Sequence, residues 1–378
     1  MGYHKKNRGK EAISSREFFN SYTGRPDKKR FIAALRRQPI DRVPNFEVLI
    51  EDMHVEKILG RYAGNTLAIG GDPAKGAGQE GRPMYPQDFI EVCEIIGQDV
   101  MCFEAGFWTP FKMPDANGNL KQVIDKSIKD AAGFRKLVLD GETQINNAVA
   151  YVKEYQTALE KKGSQIGLAP SYGCIMQTLY EFVVGMNDFM TLAYEDLALV
   201  EEMLEESTVH FEKMTEELVK AGVDAIALGD DVAFKSGLFL PPKLMAKIWL
   251  PRIARVIAPA VNKNIPVLFH SDGRIDDIVE GLISIGVNAI HPLDPYAIDY
   301  RQYKKRYGSA LTLVGNVDIE FPLSKGTPAD IDNDVREHME VLKPGYGYIA
   351  SCSHSIVNYI PHENFIAYIN AMHKYGAY

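Results

Sequence analysis

Apolar residues along this chain fall into short runs separated by longer stretches of helical spacing. The runs lie at 45–50, 99–103, 165–169, 223–229, 266–270, 287–290, 311–314 and 346–350. Runs this short without strict alternation are the pattern of strands buried on both faces. Between them, 87–96, 142–162, 187–221, 242–261, 275–285, 300–306 and 328–342 repeat apolar residues at helical intervals, and a last such stretch spans 361–373. Strands alternating with amphipathic helices predict parallel βα units. Eight strands is the number that closes a barrel, so the expected fold is α/β, a single TIM (β/α)8 barrel. No GxGxxG follows the first run, and an open dinucleotide-binding sheet has no support.

Ahead of the barrel, Phe31, Ile32, Ala34 and Leu35 space an amphipathic helix over 28–37, an N-terminal helical extension. A short helix is expected over 15–19. Residues 1–30, with His4, Lys5, Lys6, Arg8 and Lys10, are read as a flexible basic extension, and 31–378 as the barrel. The Gly- and Pro-rich stretch 64–86 is too poor in apolar residues for a helix and reads as a long loop over one face.

Composition narrows the class. With 46% hydrophobic residues the chain can fill a large core, and a net charge of -8 argues against a nucleic-acid binder. No apolar run approaches the ~20 residues of a membrane span, and no signal-peptide pattern opens the chain. Cys93, Cys102, Cys174 and Cys352 lie far apart with no CxxC, which fits a reducing cytoplasm.

A parallel barrel carries its chemistry at the C-terminal ends of its strands. There the chain supplies Glu47, Glu104, Tyr172, Asp231, His270, Asp272, His291, Asn316, Cys352 and His354. Loops are polar in any case, and Asp294 and Asp318 are assigned to turns. His270 and Asp272 are two residues apart, so in an extended segment both side chains point the same way. Imidazole, carboxylate and thiolate together suit Zn²⁺, with His270 and Asp272 as two ligands and His354 or Cys352 as a third. Without a metal, His354 is instead a proton donor or charge stabiliser. Glu47, Glu104 and Asp231 are expected to position substrate or act as general acid, and Tyr172, Tyr180, His291 and Asn316 to contact it.

Leu311-Thr312-Leu313-Val314-Gly315-Asn316-Val317-Asp318, Tyr348-Ile349-Ala350 and Pro361-His362-Glu363-Asn364 resemble the uroporphyrinogen decarboxylase superfamily. So do Leu228-Gly229-Asp230-Asp231, Trp249-Leu250-Pro251 and the turn His270-Ser271-Asp272-Gly273. The resemblance implies one TIM barrel and either of two activities, the decarboxylases of haem synthesis or the zinc-dependent, corrinoid-linked methyltransferases. Decarboxylases carry Arg-x-x-x-Arg after the first strand, where this chain has Glu47-Val48-Leu49-Ile50-Glu51-Asp52; acids there would repel a polycarboxylate. Their histidine before the last helix is matched by His354. The methyltransferases carry His-x-Cys at the end of strand five and a later cysteine; here stand His270-Ser271-Asp272 and His354, with Cys352 two residues earlier.

The methyltransferase branch then implies cleavage of a methyl–heteroatom bond in a small-molecule methyl donor, such as a methoxylated aromatic. Zn²⁺ would be held by His270, Asp272 and His354, with Cys352 in reserve, a harder site than the family's. The chain has no Asp-x-His-x-x-Gly segment, so a corrinoid would arrive on a carrier protein docking over the barrel mouth. Pairing into a homodimer is a further expectation of the resemblance. The alternative is a metal-independent decarboxylase of a porphyrinogen or related carboxylate, with His354 as its catalytic group.

Overall fold

A computed structural model describes residues 24–64, 84–105, 109–173 and 175–378. The basic arm, the expected 15–19 helix, most of the 64–86 loop and Cys174 lie outside the described residues. Seven strands form one parallel sheet: β1 (Val100–Glu104), β2 (Gly167–Gly173), β3 (Ile226–Gly229), β4 (Val267–His270), β5 (Ala289–His291), β6 (Thr312–Val314) and β7 (Tyr348–Ile349). Their order in the sheet is their order in the chain, with registers such as Gly229↔His270 and His291↔His270. Helices of the connections pack on one face. Among them are Gly141–Lys162, Leu197–Ala221, Leu250–Asn262, Pro328–Leu342 and His362–Tyr375.

The first of the eight predicted strands is not in the ladder. Residues 45–50 meet β7 and the segment after it at two isolated bridges, Asn45↔Ala350 and Ile50↔Ile356, supported by Phe46 N donating to Ala350 O at 2.9 Å. Pro44 has no N–H to extend that pairing. On the other side the Gln98 amide replaces a ladder. Its Oε1 accepts from Glu47 N at 3.2 Å, and its Nε2 donates to Glu47 O at 3.4 Å and Val100 O at 2.9 Å. A side chain therefore spans the seam between this segment and β1.

The sheet alternation sorts the apolar strand residues into two cores. Val100, Cys102, Ala169, Ala227, Leu268, Ala289, Val314 and Ile349 form the smaller core with Phe46. Phe31, Ala34 and Leu35 of the predicted N-terminal helix, observed as Lys28–Leu35, close this core from below. Asp27 caps that helix by accepting from Lys29 N, and Thr312 Oγ1 donates to Ala34 O at 2.8 Å. The opposite set, which includes Met101, Leu168, Tyr172, Leu228, Phe269, Ile290, Tyr348 and Cys352, packs against the helices. The expected helix 187–221 is two, Met186–Glu195 and Leu197–Ala221; Asp196 breaks it and caps the second by accepting from Leu199 N at 3.1 Å. No helix among the described residues is long and apolar enough to cross a membrane.

Candidate metal centre

β3 and β4 end side by side, and the two chains leave the sheet with acids in the same places. After β3, Asp230 turns toward the helices. It accepts from Gln177 N at 2.7 Å and Trp249 Nε1 at 2.7 Å, and its burial pushes its carboxyl up to about 7. Asp231, one residue on, faces the other way. Its Oδ1 accepts from Asp272 N at 2.9 Å, which ties the two loops together. After β4, Ser271 turns back and its Oγ accepts from Val232 N at 3.2 Å, while His270 and Asp272 share the side of Asp231. Gly273 then lets the chain turn at φ +80°; a Cβ there would sit 2.5 Å from Ala233 O, so the close approach of the two loops requires glycine.

One donor atom from each of Asp231, His270 and Asp272 lies within 4.8 Å of the others. His270 Nε2 is 3.8 Å from Asp231 Oδ1 and 3.9 Å from Asp272 Oδ1. His354 Nε2 is 3.7 Å from Asp272 Oδ2, and its ring centre is 6.1 Å from that of His270. These gaps exceed hydrogen-bond reach. Zn²⁺ bonds of ~2.0–2.1 Å in a tetrahedron space their ligand atoms about 3.3 Å apart. The 3.8 and 3.9 Å separations at His270 are somewhat wider than that spacing, and two carboxylates with imidazole suit a borderline or hard divalent cation. Asp272 is raised by burial, a push opposed by His270 and His354.

Behind His270 lies a second imidazole. His270 Nδ1 is 2.7 Å from His291 Nδ1, and His291 Nε2 is 3.1 Å from Ser351 Oγ. His291 is 1% exposed and burial holds it well below the usual histidine range. It therefore backs His270 rather than facing a cavity, contrary to its expected place against substrate.

Other expected site residues also lie elsewhere. Tyr172 is inside β2, which runs to Gly173 rather than ending at 169, and its pleat faces the helices. Its hydroxyl is 2.5 Å from Thr215 Oγ1 and its ring stacks on Phe211. Cys352 has the same helix-facing parity. It is buried with its N–H donating to Glu47 Oε1 at 3.3 Å, and burial drives its thiol well up, so it does not join the cluster. Glu47 follows inward-facing Phe46 and so points out to the last helix, where Tyr368 OH donates to its Oε1 at 2.7 Å. Burial pushes this acid up to about 7. Asn316 braces a turn: its Nδ2 donates to Leu293 O at 2.6 Å and its Oδ1 accepts from His338 Nε2 at 2.9 Å. Glu104 ends β1, half-buried, in register with Ser171. Tyr180 does reach the cluster, its hydroxyl donating to Asp231 O at 2.9 Å. Asp294 and Asp318 hold turns, accepting from Tyr296 N and Glu320 N.

Two residues at the cluster were missed. Gln177 Nε2 donates to Asp231 Oδ2 at 3.4 Å and to Glu181 Oε2 at 3.1 Å, and Gln177 Oε1 accepts from Asp231 N at 3.2 Å. Glu181, raised by burial, sits on a single turn of π-helix (Leu179–Val183), a distortion common at functional sites. Their i,i+4 spacing just after a strand was the available signal.

A parallel α/β sheet with an acid–imidazole cluster beyond its strand ends has the layout of an enzyme site. Residues 95–375 match the model of the family described as uroporphyrinogen decarboxylase (URO-D), and the chain belongs to that family. A uroporphyrinogen decarboxylase of Alkalilimnicola ehrlichii is 23% identical over 91% of this chain and 93% of its own length. The methylcobamide:CoM methyltransferase MtaA of Methanosarcina barkeri is 26% identical over 53% of this chain and 56% of its own. Among solved structures, a methyltransferase from Methanosarcina mazei superposes with a TM-score of 0.65 at 18% identity, covering 92% of this chain and 98% of that one.

Proposed function

We propose that this protein is a cytoplasmic, zinc-dependent methyltransferase of the corrinoid-linked branch of its family, acting on a small methyl–heteroatom compound such as a methoxylated aromatic. The observation that carries the reading is the convergence of Asp231, His270 and Asp272 on one point beyond the strand ends. His354 adds an imidazole on the Asp272 side of the cluster. Asp231, His270 and Asp272 would hold Zn²⁺, which supplies Lewis acidity toward the heteroatom that loses its methyl group. His354, half-exposed beside Asp272, would give that heteroatom a proton as the bond to carbon breaks. Gln177, itself held by Glu181, braces Asp231. The methyl acceptor would be a corrinoid on a carrier protein, and MtaA, a relative named for methylcobamide, supports that choice. The irregular segment 44–50 would serve as the eighth stave of a full barrel.

The second reading, a metal-independent decarboxylase, is favoured by the names of the full-length relatives. Opposing it, Glu47 and Glu51 stand where the decarboxylases carry arginines, and Glu51 is engaged by Asn358 N at 2.5 Å. Metal analysis of chelator-free protein separates the two. Stoichiometric zinc that is lost in His270→Ala supports the transferase. Metal-free protein that decarboxylates uroporphyrinogen overturns it.

A further inference from the structure

Gln177 lies on the first helical turn after β2, 9% exposed, and its amide meets Asp231 twice. The direction of that amide is fixed. Asp231 N–H can only donate, so the atom it reaches at 3.2 Å is Oε1. The NH₂ group therefore faces two carboxylates, Glu181 Oε2 at 3.1 Å and Asp231 Oδ2 at 3.4 Å, with one hydrogen for each. A reversed amide would set Nε2 against the Asp231 N–H and Oε1 against both acids. Gln177 N donates to Asp230 Oδ1 at 2.7 Å, and Tyr180 OH donates to Asp231 O at 2.9 Å. The turn 177–181 thus grips Asp230 and Asp231 through main chain and side chain alike.

The other oxygen of Asp231 keeps different company. Oδ1 accepts from Asp272 N at 2.9 Å and stands 3.8 Å from His270 Nε2. A carboxylate oxygen has two lone pairs, so Oδ1 retains one beside the imidazole. Oδ2 is drawn off by the amide.

We propose that Gln177 is a positioning residue that sorts the two oxygens of Asp231: it ties Oδ2 to the turn 177–181 and leaves Oδ1 as the single oxygen this acid offers to the cluster. A carboxylate free to swing can close on an ion with both oxygens and fill a second position on it. One held by an amide gives a single oxygen, and the position it leaves is the open one that a catalytic ion needs. The sorting follows from the hydrogen bonds alone; its consequence for an ion rests on the zinc reading above.

The test is read first in wild type. Crystals of the full chain soaked in Zn²⁺ should show the ion on Asp231 Oδ1, with Oδ2 still on Gln177 Nε2. An ion on both oxygens, or on Oδ2 alone, overturns the proposal whatever the variants do. Zn²⁺ affinity by competition with a chelating dye is then compared in Gln177→Met and Glu181→Gln, with thermal midpoints to confirm folding. Methionine fills the same space without the amide and should cost on the order of 10–100-fold, whereas glutamine at 181 still accepts from Gln177 and should stay within about threefold of wild type. Wild-type affinity in Gln177→Met overturns the proposal. Equal losses in both variants would trace the effect to the charge of Glu181 and count against the amide. If wild type takes up no Zn²⁺, the metal reading fails, while the sorting stands or falls by whether Oδ2 rather than Oδ1 faces Gln177 in the same crystals.

Discussion

At the residue scale the two adjacent acids Asp230 and Asp231 show how one step along the chain changes chemistry. Asp230 is fully buried and saturated by donors, whereas Asp231 looks onto the cluster. Asp231→Asn keeps an oxygen that can accept from Asp272 N, so the loops should hold, but it removes one anionic ligand. We expect Zn²⁺ affinity to fall at least tenfold by equilibrium dialysis, with a thermal midpoint within about 2 °C of wild type. A midpoint drop without an affinity change would make Asp231 structural. Glu47 has a different signature. Its folded-state pKa is raised from 4.5 to about 7 because it is buried, so the protonated acid is the form the fold favours. Its favourable contribution is complete below its unfolded pKa and is lost as pH rises through about 7. The linkage amounts to about 3 kcal/mol across that window. Glu47→Gln cannot ionise, so its stability relative to wild type should improve by that order between pH 5 and pH 8.5, read from urea midpoints at both. A constant difference would show that Glu47 does not titrate in this range. Of these residues, His270 and Asp272 were legible because a two-residue spacing is a statement about direction. Cys352 was not: the chain is buried on both faces through β7 and the residues just past it, so Tyr348-Ile349-Ala350-Ser351-Cys352 shows no alternation from which to read parity.

At the element scale, the βα rhythm and the N-terminal helix were readable because each helix carries an apolar face of the right period. The first strand was misread because an apolar run records burial and says nothing of ladder bonding. Phe46 and Ile50 are buried as a strand's residues would be, yet the pairing to β1 is made by the Gln98 side chain. Gln98→Leu would leave Glu47 N–H, Glu47 C=O and Val100 C=O without that partner in a buried seam. Each such loss costs about 1–3 kcal/mol, so we expect a destabilisation of about 3 kcal/mol or more in urea unfolding. A loss below about 1 kcal/mol would mean that the backbone closes the seam unaided.

At the scale of the whole molecule, the fold and its family leave the reaction open, since one α/β scaffold hosts many chemistries. A bound metal would act on more than catalysis here. Its ligands would come from the loops after β3 and β4, which are already joined by Asp272 N donating to Asp231 Oδ1 at 2.9 Å. An ion on Asp231, His270 and Asp272 binds only the folded arrangement, because these residues are some 40 positions apart at most in the chain but adjacent only when both strands have docked. At a free concentration of about 100 times its Kd it stabilises the fold by about 2.7 kcal/mol, which for a chain of this size is a rise of roughly 3 °C. Chelator-treated protein should show that rise in calorimetry on titration with Zn²⁺, and Asp272→Asn should lose it. A metal-independent decarboxylase predicts the same midpoint with and without the ion, so an unmoved wild-type transition across a wide Zn²⁺ range would refute the metal centre without any knowledge of the substrate.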